Sequence, residues 1–459
     1  MNVTMALQAT ENQHPSPLIG TENKKGYPMN KHSGLIVLML FCVLIQAAPP
    51  AYGADILSQI HPYLSVKGEY SDNLNLTAGN QKRDFYTTVM PGIKFSNMSD
   101  RSGINLDASV GYVFYSDYSN LNYLTGQARL DAKYLTSSRF NFYLKNAFIR
   151  SDDPRERELF STAEDNKYLL ATETQRAVYM RNVVEPTVEY QFGPESRVGV
   201  KYRNNYYRAE DIEGRDSIEN YISPFLTVWL NKQHGFQFDY GYTNGHFEES
   251  PDLKGHKVSG AYMLRFTPKA TASLKGAYTL QTFSEEMMDY QIYETSAGIS
   301  YLFSQTLTAS AEAGYYWLEP EAGINRDGGV SFKADITQNG ERTKYRLSVQ
   351  GGYVLDYFTS QNLGFRKFYR ATGTITHFLD KRLSIGCLGR IQRSEEESDA
   401  DSGLRNTTWS AGANIAYTPF QWLKVSLEYT YTQNDTNYIY EATNEYKENR
   451  GMLMVTATY

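Results

Sequence analysis

Cysteine is nearly missing from this chain: 459 residues carry two, Cys42 and Cys387. That excludes a disulfide framework, so burial and backbone pairing must hold the fold together. Long apolar runs are missing as well. The one such run, Gly34–Ala48, falls short of the roughly 20 residues a membrane helix needs, and the mean hydropathy is −0.52. A helical membrane protein is therefore excluded. There is no basic block: 45 Lys and Arg stand against 51 Asp and Glu, a formal charge of −6 spread along the chain. That distribution argues against nucleic acid as a partner. No Gly-rich phosphate loop, cysteine cluster or nucleophile elbow occurs, so no cofactor and no catalytic set are expected. What is abundant is aromatic: 38 Tyr, 22 Phe and 4 Trp, residues that suit a pleated surface better than a helix.

The first fifty residues read as an address. Met29-Asn30-Lys31-His32 supplies a short basic start, Gly34–Ala48 an apolar core, and Ala51-Tyr52-Gly53 small residues at a cleavage site. This is the pattern of a secretory signal peptide over 29–53, cut after Gly53. Residues 1–28 are polar, lack a targeting pattern and precede an in-frame methionine, so they are expected to be an upstream extension with translation starting at Met29. Cys42 follows Phe41 inside the apolar core, which excludes a lipoprotein anchor. Residues 54–459 then form one domain.

That domain is written with period two. Ile104, Leu106, Ala108, Val110, Tyr112 and Phe114 alternate with Asn105, Asp107 and Ser109; Leu423, Val425, Leu427, Tyr429 and Tyr431 alternate with Lys424, Ser426, Glu428 and Thr430. Each such strand has one apolar face and one wet face. No stretch of it sustains a 3.6-residue period. The connections alternate in length: nine short turns, among them Ser99–Ser102, Ser137-Ser138, Asn339-Gly340 and Asp380-Lys381, separate ten longer polar loops, of which 152–176 is the longest. This predicts about twenty antiparallel strands, or 18 if the first or penultimate pair is misread, with short turns on the periplasmic side and long loops outside.

A sandwich or propeller also alternates, but its loops do not sort by length. The aromatics favour a membrane. Phe114, Tyr206-Tyr207, Tyr315-Tyr316-Trp317 and Tyr357-Phe358 stand beside long loops, while Tyr190, Phe192, Trp229, Phe303, Phe378 and Trp422 stand beside short turns. Two belts of this kind mark the two interfaces of a bilayer. In lipid the sheet must close, because an open edge leaves unpaired backbone groups. The expected fold is thus a closed antiparallel transmembrane β-barrel of the outer membrane. Its partners would be outer-membrane lipid, lipopolysaccharide and the barrel insertion machinery, the last addressed by the terminal Tyr459 of an apolar-faced final strand.

The stretch HPYLSVKGEYSDNLNLTAGN followed by DFYTTVMPGIKFSN, with Asp72-Asn73, Asp84-Phe85 and Pro91-Gly92, resembles the β-barrel porin-2 family across one hairpin, residues 61–97. That resemblance implies an outer-membrane barrel linked with exopolysaccharide loci, hence a glycan cargo and periplasmic export proteins as partners. The motif residues themselves read as structural: Asp72-Asn73 turns the chain out of the first strand, and Pro91-Gly92 suits a bulge or kink in the second.

Five histidines, His61, His234, His246, His256 and His377, follow the signal, none at metal-ligand spacing. His246 and His256 flank acidic Glu248, Glu249 and Asp252, a pattern that loop solvation explains without catalysis. Cys387 shares a face with Leu383, Ile385 and Ile391, which points it at lipid. The acidic run Glu395–Asp401 is read as a solvated outer loop, with divalent cations shared with lipopolysaccharide as the alternative. By parity the wet face carries Arg129, Lys133, Lys201, Arg203 and Arg346 among several acids, with Tyr143 and Tyr115 as sugar-stacking rings. A barrel this wide needs narrowing. Loop 152–176, with Arg155 and Arg157 beside apolar residues, either enters the lumen as a gate or stays on the surface. The expected function is a passage for exopolysaccharide export, with a general diffusion pore for small solutes as the alternative.

Overall fold

A computed structural model describes residues 59–137, 139–159, 176–210, 216–248, 250–284, 289–320, 327–356, 364–396, 405–436 and 445–459. The strands are β1 Ile60–Ser71, β2 Asp84–Met98, β3 Ser102–Tyr115, β4 Tyr123–Leu135, β5 Phe140–Ser151, β6 Tyr179–Gln191, β7 Arg197–Ala209, β8 Ser217–Trp229, β9 His234–Phe247 and β10 Leu253–Thr267. They continue as β11 Ala270–Phe283, β12 Tyr290–Leu302, β13 Leu307–Pro320, β14 Asp327–Asn339, β15 Thr343–Asp356, β16 Gly364–Phe378, β17 Leu383–Glu396, β18 Arg405–Phe420, β19 Leu423–Thr436 and β20 Tyr446–Thr458. A short α-helix, α1 (Pro154–Leu159), follows β5. Each strand pairs antiparallel with its neighbours in sequence, and β1 pairs with β20, so twenty strands close into one barrel.

Five of the nine tight connections fold for a local reason. Ser99, Ser137, Asn231, Ser304 and Asp380 each accept, through a side-chain oxygen, the backbone N–H three residues on, at 2.8–3.1 Å. Such side chains mimic a backbone turn and fix where the strand reverses. Both chain ends of the barrel lie on this short-turn side, as an even strand number requires.

Alternation sets the two faces. Leu64, Val66, Val110, Val198, Leu274, Ile299, Leu347, Ile391, Leu427 and Leu453 are among the large apolar residues exposed on the outside. Phe85, Phe114, Tyr315, Trp317 and Trp409 ring the loop end of this belt, and Tyr190, Phe192, Tyr301, Phe303, Phe420 and Trp422 ring the turn end. A closed antiparallel barrel with an apolar belt between two aromatic girdles is the architecture of outer-membrane barrels. Two expected girdle members face the other way: Tyr207 and Tyr316 are 0% and 2% exposed and pack inside the barrel. Consecutive aromatics cannot all face out of a strand, and parity sends one of each adjacent pair inward. Tyr357-Phe358 lie outside the described residues. Cys387 is exposed, opposite Ile375 and Ala413, on the outer face.

Pro91-Gly92 makes no bulge. The β1–β2 register runs unbroken from Ile60↔Phe95 to Ser71↔Asp84, and against β3 the pairing resumes beyond Met90 and Pro91 in the same register. Proline costs the β2–β3 ladder its pairs at Met90 and Pro91 while the register holds. Gly92 has a packing role, since a Cβ on it would stand 2.3 Å from the Tyr63 ring, which crosses it inside the barrel.

The seam between the chain's first and last strands has its own clasp. The Asp72 carboxylate accepts the Asn449 backbone N–H and its side-chain N–H, each at 2.7 Å. Asn73 donates from Nδ2 to the Lys447 carbonyl at 2.9 Å and to the Thr77 carbonyl at 2.8 Å. The Asp72-Asn73 pair thus turns the chain and closes the barrel at once. Asp72→Ala removes two acceptors, a loss of about 1–3 kcal/mol each where the donors are left unpaired. The expected outcome is a lower temperature for loss of heat-modifiable gel mobility, with Asp72→Asn intermediate; an unchanged transition in Asp72→Ala would show that the clasp does not hold the seam.

Candidate functional site in the barrel interior

The inner wall is built from the polar half of each alternating strand, and its charges answer one another across strands. On β6, β7 and β8, Lys201 Nζ lies 3.0 Å from Glu185 and Arg203 Nη2 lies 2.9 Å from Glu219. Tyr143 and Asn141 of β5 both donate to Glu189 Oε1, at 3.2 and 2.9 Å. On the far wall Arg346 reaches Asp335 at 3.4 Å and Lys275 reaches Glu312 at 2.5 Å. Arg129 stands opposite Asp107, and Lys133 opposite Gly103, on the β3–β4 pair. The candidate wall residues are therefore distributed around the lumen, and Lys201, Arg203, Tyr143 and Arg346 each meet an acid one strand away.

The loop end is different: the wall there is covered. The described ends of the 152–176 loop turn inward. Arg155 of α1 pairs with Asp153 at 2.7 Å and with Glu448 of β20, and its Nη2 lies 3.4 Å from the Tyr86 hydroxyl of β2. Arg176 pairs with Asp152 at 2.7 Å, donates to the Tyr115 hydroxyl at 2.8 Å and, through Nε, to the Leu74 carbonyl at 2.8 Å. The first loop and the longest loop are thereby tied together. Beneath them Glu69 takes Lys67 at 2.5 Å and Arg450 at 2.6 Å, while Ser71 Oγ donates to Glu448 at 2.6 Å. Tyr86 stacks on Tyr115 with ring centroids 5.0 Å apart, and Tyr179 on Tyr207 at 5.7 Å. Tyr115 is thus part of this packed floor.

Burial sets the charge states in the folded-in segment. For Asp153, burial works to raise the carboxyl, but Arg155 and then Arg176 outweigh it and hold it far below the usual carboxylate range. Glu156 is shifted up by burial and by the neighbouring Asp153 charge, with Ser151 Oγ donating to it at 2.7 Å. Asp152 is raised chiefly by burial, against the pull of Arg176. Arg157 lies on α1; residues 160–175 lie outside the described residues.

Sequence reasoning reached Arg155 but not its partners. Glu448, Arg450, Lys67 and Glu69 come from the two ends of the chain and meet only because the barrel closes. Their inward parity was available: Leu453 faces out, so Glu448 and Arg450 face in. Of the other candidates, His246 Nδ1 lies 2.7 Å from Asp252, which also accepts the Phe247 N–H at 3.2 Å, an arrangement that braces the β9–β10 connection at the outer rim. His234, His256 and His377 each bond a hydroxyl, at 2.6–2.9 Å. Glu395 lies 2.5 Å from Arg393 and 3.3 Å from Arg405; residues 397–401 of the acidic run lie outside the described residues. Among the described residues no three potential ligands converge on a metal position.

A carboxyl with a raised pKa in the docked state favours docking as it takes up a proton. Docking of α1 should therefore tighten as pH falls from neutral toward the raised values of Glu156 and Asp152. Asp153 has the opposite sign: its contribution is present above the ordinary carboxylate range and is lost only when pH drops through its own depressed value. Hydrogen-exchange protection of the Arg155–Leu159 amides, corrected for intrinsic rates, should rise in weak acid, rise less in Glu156→Gln, and fall in strong acid. Protection that declines steadily from neutral pH would contradict this assignment. Arg155→Ala, which strands two buried carboxylates at a cost of about 3–5 kcal/mol, should abolish protection at every pH.

No family model and no curated protein matches the sequence. Solved barrels do resemble the fold. OccK2 (OpdF) of Pseudomonas aeruginosa is 10% identical with a TM-score of 0.42, over 87% of this chain and 98% of that one. OccAB4 of Acinetobacter baumannii is 11% identical at 0.41, over 87% and 98%. The ferric enterobactin receptor PfeA of Pseudomonas aeruginosa, solved in complex with enterobactin, is 8% identical at 0.49, over 87% and 81%. What this chain shares with them is the large closed antiparallel β-barrel.

Proposed function

We propose that the chain spans the outer membrane as a passage for a polar polymer, with exopolysaccharide export as its role. The observation that carries the reading is the contrast between the two faces: apolar residues between aromatic girdles outside, and a cross-strand lattice of ion pairs and tyrosine hydroxyls inside. Because the wall charges are largely matched, neither cations nor anions are strongly retained, which suits a hydroxyl-rich chain that slides. The polysaccharide role itself rests on the resemblance of residues 61–97. The folded-in α1 and its ties to β20 and the first loop support loop 152–176 as the element that narrows the passage.

Single-channel conductance of the refolded barrel, beside Arg155→Ala and a variant lacking residues 152–176, tests the reading. The expected result is a closed or flickering intact channel that opens steadily in both variants. A steadily open intact channel, little changed by either, would instead favour a diffusion pore for small solutes. No current from any of the three would overturn the passage.

Tyr459 serves delivery in this reading. Its ring is 96% exposed and its N–H donates to the Pro62 carbonyl at 2.8 Å. Deleting it should leave refolding in detergent nearly unchanged while reducing folded barrel in the outer membrane of expressing cells. Equal surface levels would remove its role as an assembly signal.

A further inference from the structure

The lacing of the wall stops short between β14 and β15. β14 and β15 pair from Asn339↔Lys344 to Phe332↔Gly351 and no further. Beyond that point β14 stays paired to β13 as far as Asp327, and β15 to β16 as far as Asp356. The loop-side ends, 327–331 and 352–356, therefore run beside each other without ladder bonds. Gly352 sits at the break with φ +148°, a conformation that L side chains rarely adopt. It reverses the alternation. Tyr353 turns into the barrel, its ring centroid 5.0 Å from that of Tyr316, and donates to Glu294 at 3.2 Å.

Behind the break lies a cavity of about 490 Å³. Lys257, Lys275 and Lys333 line it on the lumen side, with Glu294 and Glu312 as its two acids and Asp335 3.9 Å from Lys333. Lys275 is matched by Glu312 at 2.5 Å, whereas Lys257 has no carboxylate within ion-pair distance among the described residues. Phe332 lines the same cavity yet stacks, at 6.4 Å, on Tyr369, which is 44% exposed on the outer face. The cavity thus runs from the Lys257 ammonium to Phe332, whose ring meets an outer-face tyrosine. Backbone groups without partners are costly against hydrocarbon, so such a break is stable only where water or a polar ligand reaches it.

We propose that this break is a side port: an amphiphile carrying one acidic group, carboxylate or phosphate, places its headgroup in the cavity against Lys257, with its tail passing between β14 and β15 into the outer leaflet. The inference rests on the membrane-spanning reading above. The unpaired strand ends lie on the long-loop side, so the port opens to that leaflet. The binding is non-covalent, and the selectivity is for negative charge joined to an apolar chain.

The test uses the full barrel in phosphatidylcholine nanodiscs, titrated calorimetrically against empty discs with octyl glucuronide, octyl glucoside and free glucuronate. Saturable binding of the glucuronide is expected, at least tenfold tighter than either of the others. It should weaken at least tenfold in Lys257→Gln, persist in Lys257→Arg and be unchanged in Lys424→Gln. Free glucuronate binding equally well would mean an acid site without a side port, and octyl glucoside binding equally well would mean that charge plays no part; either overturns the proposal. So does absence of glucuronide binding by a barrel that inserts and retains heat-modifiable mobility. A barrel that fails to enter the discs would instead overturn the membrane-spanning reading, and the port with it.

Discussion

Everything in this molecule depends on one constraint: in a low-dielectric surround, every backbone N–H and C=O needs a partner. Twenty strands satisfy it by pairing in sequence, and the last obligation falls on β1 and β20, which are separated by nearly the whole chain. Closing so large a loop is entropically expensive, and only the return of a full ladder of bonds, with the Asp72-Asn73 clasp beside it, repays that cost. Where the ladder stops short, between β14 and β15, the sheet exposes polar backbone, and the adjoining cavity is lined by lysines and glutamates.

The closed sheet then imposes a division of labour. Because side chains alternate, each outward apolar residue commits its neighbours to the interior, and twenty strands bring a large polar surface into a confined space. Opposite charges on adjacent strands neutralise one another, so the interior is polar without a strong field of either sign. At the loop end the same geometry brings four cationic side chains and five carboxylates, Lys67, Arg155, Arg176 and Arg450 with Glu69, Asp152, Asp153, Glu156 and Glu448, into one buried lattice. Breaking a single link there strands a charge, which makes the folded-in segment switch-like in its energetics.

Much of the fold was legible because period two is a local signal. Strand number, the sorting of turns by length, the apolar belt and the inward parity of Lys201, Arg203 and Arg346 all follow from spacing within a dozen residues. The misreadings were local conflicts that neighbours resolved. Pro91-Gly92 reads as a bulge, but Tyr63 needs the space over Gly92 and the register is held from both sides. Tyr207 and Tyr316 read as girdle rings, yet inward partners claim them. Gly351-Gly352 gives little warning in sequence of the reversed alternation that turns Tyr353 inward.

By itself, then, the sequence determined the class of architecture: alternation selects a sheet with one wet and one apolar face, and the absence of long apolar runs and disulfides leaves closure as the means of satisfying it. Only the tertiary structure decided which charges meet. Arg155 finds Glu448 across 293 positions of chain, and Lys257 finds a cavity at a break two hairpins away, because strand order, tilt and the closing seam convert separations in sequence into neighbours in space. No pattern within a window of the sequence encodes those distances, since each depends on the register of every strand between.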